Sequence, residues 1–246
     1  MMQFWRIGQG VRVVQERRES MEGEAPAVAS PLSLVERRIL GVLVEKARTV
    51  PDTYPLSLNA LVVGCNQKSN RDPLMELQEI EIQDCLEALI KKKLVSRVVG
   101  GRVERWRHQL YEVYALDKKE IAVIAELLLR GPQTEGELRQ RASRMEPLDD
   151  LETLRGVLRG LMERNLVVAL VPLERRGAQV THGFHAPDEL EGLRQRAGAA
   201  GLEPDVPRAE ARSSGGMEDL RQRVASLEHQ VAELTSRLDA MTHRAV

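Results

Sequence analysis

IQDCLEALIKKKLV at residues 82–95 and LRGVLRGLMERNLV at residues 154–167 are one segment written twice, and their reading decides the fold. At an offset of 72, Ile82 matches Leu154, Cys85 matches Val157 and Leu86 matches Leu158. Leu89 then matches Leu161, Ile90 matches Met162, and Leu94-Val95 matches Leu166-Val167. Apolar residues at i, i+3, i+4, i+7 and i+8 make one buried stripe of a helix. Each helix runs into a β-favouring stretch, Leu94–Val99 in one copy and Leu166–Val171 in the other. Turn residues follow, Gly100-Gly101 and Arg175-Arg176-Gly177, and returning strands are expected around Arg102–Tyr114 and Ala178–His185. A helix that feeds a two-stranded hairpin, twice, is the last helix and wing of a winged helix-turn-helix module.

The upstream residues agree. Ser33-x-x-Glu36 reads as a capping box opening a helix with Val35, Ile39, Val42, Leu43 and Lys46 on successive turns. Asp117-x-x-Glu120 opens its counterpart, with Ile121, Ile124, Ala125 and Leu128. Thr134-x-x-Glu137 and Asp149-x-x-Glu152 cap two more helices in the second copy, and Ser57–Cys65 supplies the second helix of the first. The first copy carries about ten extra residues between its second and third helices, through CNQKSNRDPLMEL.

TYPLSLNALVVGCNQKSNRDPLMEL at residues 53–77, and LLLRGPQTEGELRQRASRM in the second copy, resemble the YceH-like family of bacterial proteins. The likeness covers residues 32–186. It implies a tandem winged-helix fold and an assignment to DNA binding, with no established biochemical activity, and it leaves both ends of the chain unaddressed.

Beyond residue 186 the reading rests on the residues alone. Residues 187–216 pass from a possible short helix into AGAAGLEPDVPRAEARSSGG, a linker composition. Met217, Leu220, Val224, Leu227, Val231, Leu234, Leu238 and Met241 then alternate spacings of three and four. That is the 3.5-residue period of a coiled coil, and valine at a with leucine at d favours two parallel strands. Arg223 at g and Glu228 at the following e attract across such a dimer. The alternative is a helix packed on its own chain. At the other end, residues 1–20 lack the apolar core of a secretory signal. Met21 offers a second start, so these residues read either as an upstream extension or as a basic arm that folds on a partner.

Composition bounds the function classes. Basic and acidic residues number 36 and 37, so only charge distribution can speak for nucleic acid. Cys65 and Cys85 stand without CxxC spacing or a histidine partner, which fits a reducing, cytoplasmic setting and assembles no metal site. No apolar run approaches the roughly 18 residues of a membrane span. His182-x-x-His185 falls on an expected wing strand rather than a helix, so its spacing does not present two ligands together. No nucleophile signature or phosphate loop is present, and the expectation is a protein that is not an enzyme and has no cofactor.

Two groups of residues are candidates for nucleic-acid contact. The first is Lys91, Lys92, Lys93, Arg97, Arg102, Arg105, Arg107 and His108, with Trp106 among them on the wing. Such a stripe suits phosphates, or else is a solvated helix end and a strand whose tryptophan covers the core. The second is the exposed-looking loop Asn66, Gln67, Lys68, Ser69, Asn70 and Arg71. Its side chains either pair with bases and phosphates or hydrogen-bond the loop's own backbone. Against groove insertion, the third helices open on Glu76, Glu79, Glu81, Asp84 and Glu87, and on Asp149, Asp150 and Glu152.

The expectation is therefore a mainly α fold with small β-hairpin wings (α+β): two tandem winged helix-turn-helix domains and a coiled coil. Residues 1–31 are an N-terminal extension, 32–116 and 117–186 the two domains, 187–216 a linker and 217–246 the coil. The expected function is DNA binding of transcription-regulator type by a parallel homodimer held through Leu220, Val224, Leu227, Val231, Leu234, Leu238 and Met241. The alternative is a protein–protein adaptor that uses the tandem winged helices as a scaffold.

Overall fold

The computed structural model of the chain describes residues 29–99 and 103–200, with eight helices and two small antiparallel sheets among them. The heptad residues Leu220 to Met241, residues 1–28 of the N-terminal extension and Arg102 lie outside the described residues.

The first half runs α1 (Leu34–Thr49), a 3-10 turn (Pro51–Thr53), β1 (Leu56–Ser57), α2 (Leu58–Cys65), α3 (Glu79–Lys91), β2 (Val95–Val98), β3 (Arg105–His108) and α4 (Leu110–Tyr114). The second runs α5 (Lys118–Arg130), β4 (Gln133–Thr134), α6 (Glu135–Ala142), α7 (Leu151–Glu163), β5 (Val167–Ala169) and β6 (Gln179–His182). Helix α8 (Pro187–Ala200) follows, taking up the start of the stretch expected to be linker.

The repeat holds in atomic detail. Ile82, Leu86 and Leu89 are fully buried, as are Leu154, Leu158 and Leu161 at the same offset. Lys93 and Asn165 both adopt left-handed φ, 60° and 57°, where helix turns into strand. Leu94 N then bonds Leu89 O and Leu166 N bonds Leu161 O, each at 2.9 Å. Val95 pairs with His108 and Val167 with His182, which makes the two histidines equivalent.

Both halves contain a third strand that sequence reading did not anticipate. Leu56 pairs with Trp106 and Gln133 with Val180, giving strand orders β1-β3-β2 and β4-β6-β5. Two residues show no alternation, so β1 and β4 have no local signature. The returning strand expected over Arg102–Tyr114 is shorter, because Leu110–Tyr114 turns helical. Capping boxes form at Ser33/Glu36, Asp117/Glu120 and Thr134/Glu137 as expected. At the fourth no reciprocal box forms: the N-cap is Asp150 rather than Asp149, and its side chain accepts from the Thr153 amide at 2.7 Å.

The halves pack through their first helices, α1 against α5. Residues Glu36–Glu45 and Ile121–Leu129 are buried without a break, the mark of helices covered on all sides. Gly41 sits at the crossing, where a Cβ would meet Leu129 Cγ at 2.7 Å. One continuous core results, from Leu32 to Phe184. No helix among the described residues is long and apolar enough to cross a membrane.

Candidate nucleic-acid interface

Strand alternation divides the basic stripe between two faces of the first sheet. Arg105 and Arg107 point outward, while Trp106 (5% exposed) and His108 point into the core. Trp106 is thus a core cover, the second of the two readings of the stripe. Arg97 stands opposite Trp106 in the ladder; it bonds Glu87 of α3 at 2.6 Å and Glu104, just ahead of β3, at 3.1 Å. Lys92 is held by Glu36 at 2.7 and 2.9 Å. Lys91 is exposed and makes no ion pair among the described residues.

The outward pair has no close carboxylate. Arg105 Nη1 donates to the Pro55 carbonyl at 2.8 Å and to the Thr53 carbonyl at 3.4 Å. Arg107 donates to Ser96 Oγ at 3.1 Å and to Gln109 Oε1 at 3.4 Å, with Glu112 at the 4.0 Å limit of ion pairing. The hydrogen bonds that orient both guanidiniums all go to neutral acceptors, and Glu112 offsets the Arg107 charge only from 4.0 Å.

The polar loop corrects one expectation. Lys68 and Ser69 are exposed, but Arg71 is buried, its side chain 0% exposed. It forks onto Glu45 of α1 at 2.5 and 3.3 Å and also donates to the Gly64 carbonyl at 3.0 Å. Gln67 Oε1 accepts from it at 3.4 Å, and Gln67 in turn donates to Ser69. Asn70, at φ 57°, accepts from Arg130 at 2.7 Å. Asn66 bonds both the carbonyl and the amide of Leu77 at 2.8 Å. The geometry of Asn66, Asn70 and Arg71 is that of loop bracing, because a ten-residue insertion brings backbone groups that need partners.

Arg71 belongs to a ring of buried charge that sequence reasoning missed. Arg144, from the α6–α7 connection, bonds Glu45 of α1 and also Glu126 of α5 at 3.2 Å. Arg130 Nε lies 3.1 Å from Glu126 Oε1, an ion pair outside hydrogen-bonding angles, and closes the ring through Asn70. Burial pushes the Glu45 carboxyl up, but the hydrogen bonds and charges of Arg71 and Arg144 outweigh it and hold it below the usual range. Burial prevails at Glu126, which is raised despite Arg144 and Arg130. The sequence signal was present: Glu126 stands alone inside IAVIAELLL, a run too apolar to leave any face in water.

A second cluster ties α8 to the body. Arg37 forks onto Glu189 at 2.9 and 3.0 Å and lies 2.8 Å from His185 Nδ1. His185 stacks on His182 with ring centroids 3.9 Å apart. His182 ends β6, whereas His185 lies just beyond it.

A profile described as protein of unknown function, DUF480, matches residues 32–179. Similar chains include the UPF0502 protein RB6530 of Rhodopirellula baltica, 48% identical over 160 residues, 65% of this chain and 67% of that one. The UPF0502 protein azo0627 of Azoarcus sp. (strain BH72) is 42% identical over 217 residues, 87% of this chain and 94% of the relative. A third, UPF0502 protein Shewmr7_1629 from Shewanella sp. (strain MR-7), is 39% identical over 221 residues, covering 85% and 97%.

Proposed function

Because the chain belongs to the DUF480 family of proteins of unknown function, we propose its role from its own surface: a non-enzymatic, cytoplasmic DNA-binding protein of transcription-regulator type. Each set of three helices and a three-stranded sheet is a winged-helix module, and the first module makes the main contact through its wing. The observation that carries this reading is the pair Arg105 and Arg107 on the outward face of β3, hydrogen-bonded to neutral acceptors, with Glu112 no nearer to Arg107 than 4.0 Å. Exposed Lys68, Ser69 and Lys91 extend the phosphate-facing set. Insertion of α3 into a groove is disfavoured, since Glu79, Glu81, Asp84 and Glu87 are all exposed on it and phosphates repel them.

Binding of a labelled duplex, followed by anisotropy across added salt, tests this. The Arg105→Ala/Arg107→Ala variant is expected to weaken binding about tenfold and to reduce the salt slope by about two, one for each lost phosphate contact. An unchanged slope in that variant, or wild-type binding indifferent to salt, overturns the reading.

We further propose that residues 217–246 pair two copies in parallel through the heptad seam. The full chain is expected to be a dimer by light scattering, and a chain ending after Gly201 a monomer. That end point spares Glu189 and its bond to Arg37. A monomeric full chain at micromolar concentration sinks the seam.

A further inference from the structure

Three aliphatic side chains in the first helix-turn-helix are left in water: Val63 on α2 at 65% exposure, Leu74 at 64%, and Ile80 on α3 at 62%. Single exposed aliphatics are ordinary, but the segments that carry these three are clasped to one another. Arg38 donates to the carbonyls of Cys65 (3.0 Å) and Pro73 (2.6 Å), drawing the end of α2 against the segment that carries Leu74. Asn66 then clasps Leu77, one turn before Ile80.

The fold does not require these residues. The second half is an internal control, since its α6 matches α2 with Leu138 for Leu61 and Ala142 for Cys65, all fully buried. At the same offset Val63 corresponds to Gln140, and Ile80 corresponds to Glu152 by the offset of the third helices. Both counterparts are exposed and polar. Leu74 falls in the insertion that only the first half has.

The rim is acidic. Glu76, Glu79 and Asp84 are exposed and make no ion pair among the described residues, whereas Glu87 is taken by Arg97. A rigid apolar surface with uncompensated carboxylates around it fits an amphipathic helix whose polar face is cationic. We propose that the face formed by Val63, Leu74 and Ile80 docks a basic amphipathic helix of a protein partner, with Glu76, Glu79 and Asp84 receiving its lysines and arginines. The clasps by Arg38 and Asn66 hold the surface before the partner arrives, so no loop has to be ordered on binding. It shares no residue with the wing pair Arg105 and Arg107, so either reading can fail alone.

The test uses the full chain and a fluorescent peptide of about 18 residues, leucine on one helical face and lysine on the other. A scrambled peptide of the same composition has the charge without the stripe. The wild-type chain is expected to bind the striped peptide at least about tenfold more tightly than the scrambled one. Val63→Ser/Leu74→Ser/Ile80→Ser and Glu76→Gln/Glu79→Gln/Asp84→Asn should each remove that preference, with thermal melts unchanged because every position is exposed. Equal binding of the two peptides reduces the effect to charge and overturns the proposal, as does unaltered binding by the serine variant. Conversion of a dimer to a monomer by the serine variant would assign the face to a second copy instead. Competition by duplex DNA that the serine variant abolishes would assign it to nucleic acid.

Discussion

Replacing Glu45 by leucine is expected to lower stability more than any surface change, by about 3–5 kcal/mol, because it leaves the buried Arg71 guanidinium without its carboxylate. Arg71 would keep only the Gly64 and Asn70 carbonyls and the Gln67 amide oxygen, with its side chain fully out of water. Arg144 would keep Glu126. Arg71→Met should cost less than Glu45→Leu, since Glu45 would still hold Arg144. The double variant should fall well short of the sum of the singles, as groups sharing one network do. Lys68→Ala, three residues from Arg71 but exposed, should stay within about 0.5 kcal/mol of the parent. Thermal melts of the four chains decide it: at about 2–4 °C per kcal/mol for a chain of this size, the Glu45 effect is near 10 °C. A shift below about 2 °C for Glu45→Leu would mean that water reaches the ring and screens it. Since the ring joins α1 and α5 to the α2–α3 and α6–α7 connections, its loss should loosen both halves together. Urea unfolding that stays a single transition would show that cooperation.

Why the ring was invisible in sequence while the repeat was plain is a matter of range. Ile82, Leu86 and Leu89 repeat within one helix, so the 3.6-residue period writes their burial into adjacent letters. Arg71 finds Glu45 across 26 residues and Glu45 finds Arg144 across 99, distances over which no periodicity speaks. Loop residues of polar type look solvated by default, and only the packing of α1 on α5 makes Arg71 internal. The same limit hid β1 and β4, whose partners lie about fifty residues on. For the β2–β3 hairpin, the basic residues were legible as a run, but the face each occupies depended on strand register. Val98 opposes Arg105 and Ser96 opposes Arg107, which leaves Arg97 on the helix side. The candidate interface accordingly shrinks from a stripe to the residues that alternate outward.

Acidification from pH 7 toward pH 5 is expected to destabilise the fold through its buried histidines. Burial, with the charge of Arg107, pushes His108 down to about 4, and its Nδ1 has no hydrogen-bond partner. His182, at the equivalent position, is held well below the ordinary range by burial first and then by His185 and Arg37. His185 is also lowered, burial outweighing the hydrogen bond and charge of Glu189. His108 and His182 are therefore neutral in the folded chain at pH 6, where an unfolded histidine with a pKa near 6.5 is largely protonated, and His185 is shifted in the same direction. The unfolded state binds more protons, so stability rises with pH through this window. The contribution is whole above about pH 6.5 and is lost as pH falls toward the folded values, with His108 alone accounting for about 3 kcal/mol. Glu126 acts in the opposite sense, since its raised carboxyl gains a proton in the fold before it would in the open chain. One carboxyl against three histidines leaves the net slope positive. Urea midpoints at half-unit steps between pH 5 and 7 measure it, and His108→Gln should reduce the slope by up to about 1.4 kcal/mol per pH unit. A slope near zero in the parent chain, or one that His108→Gln leaves intact, would mean that the imidazole is protonated in place and that the core beneath Trp106 admits water.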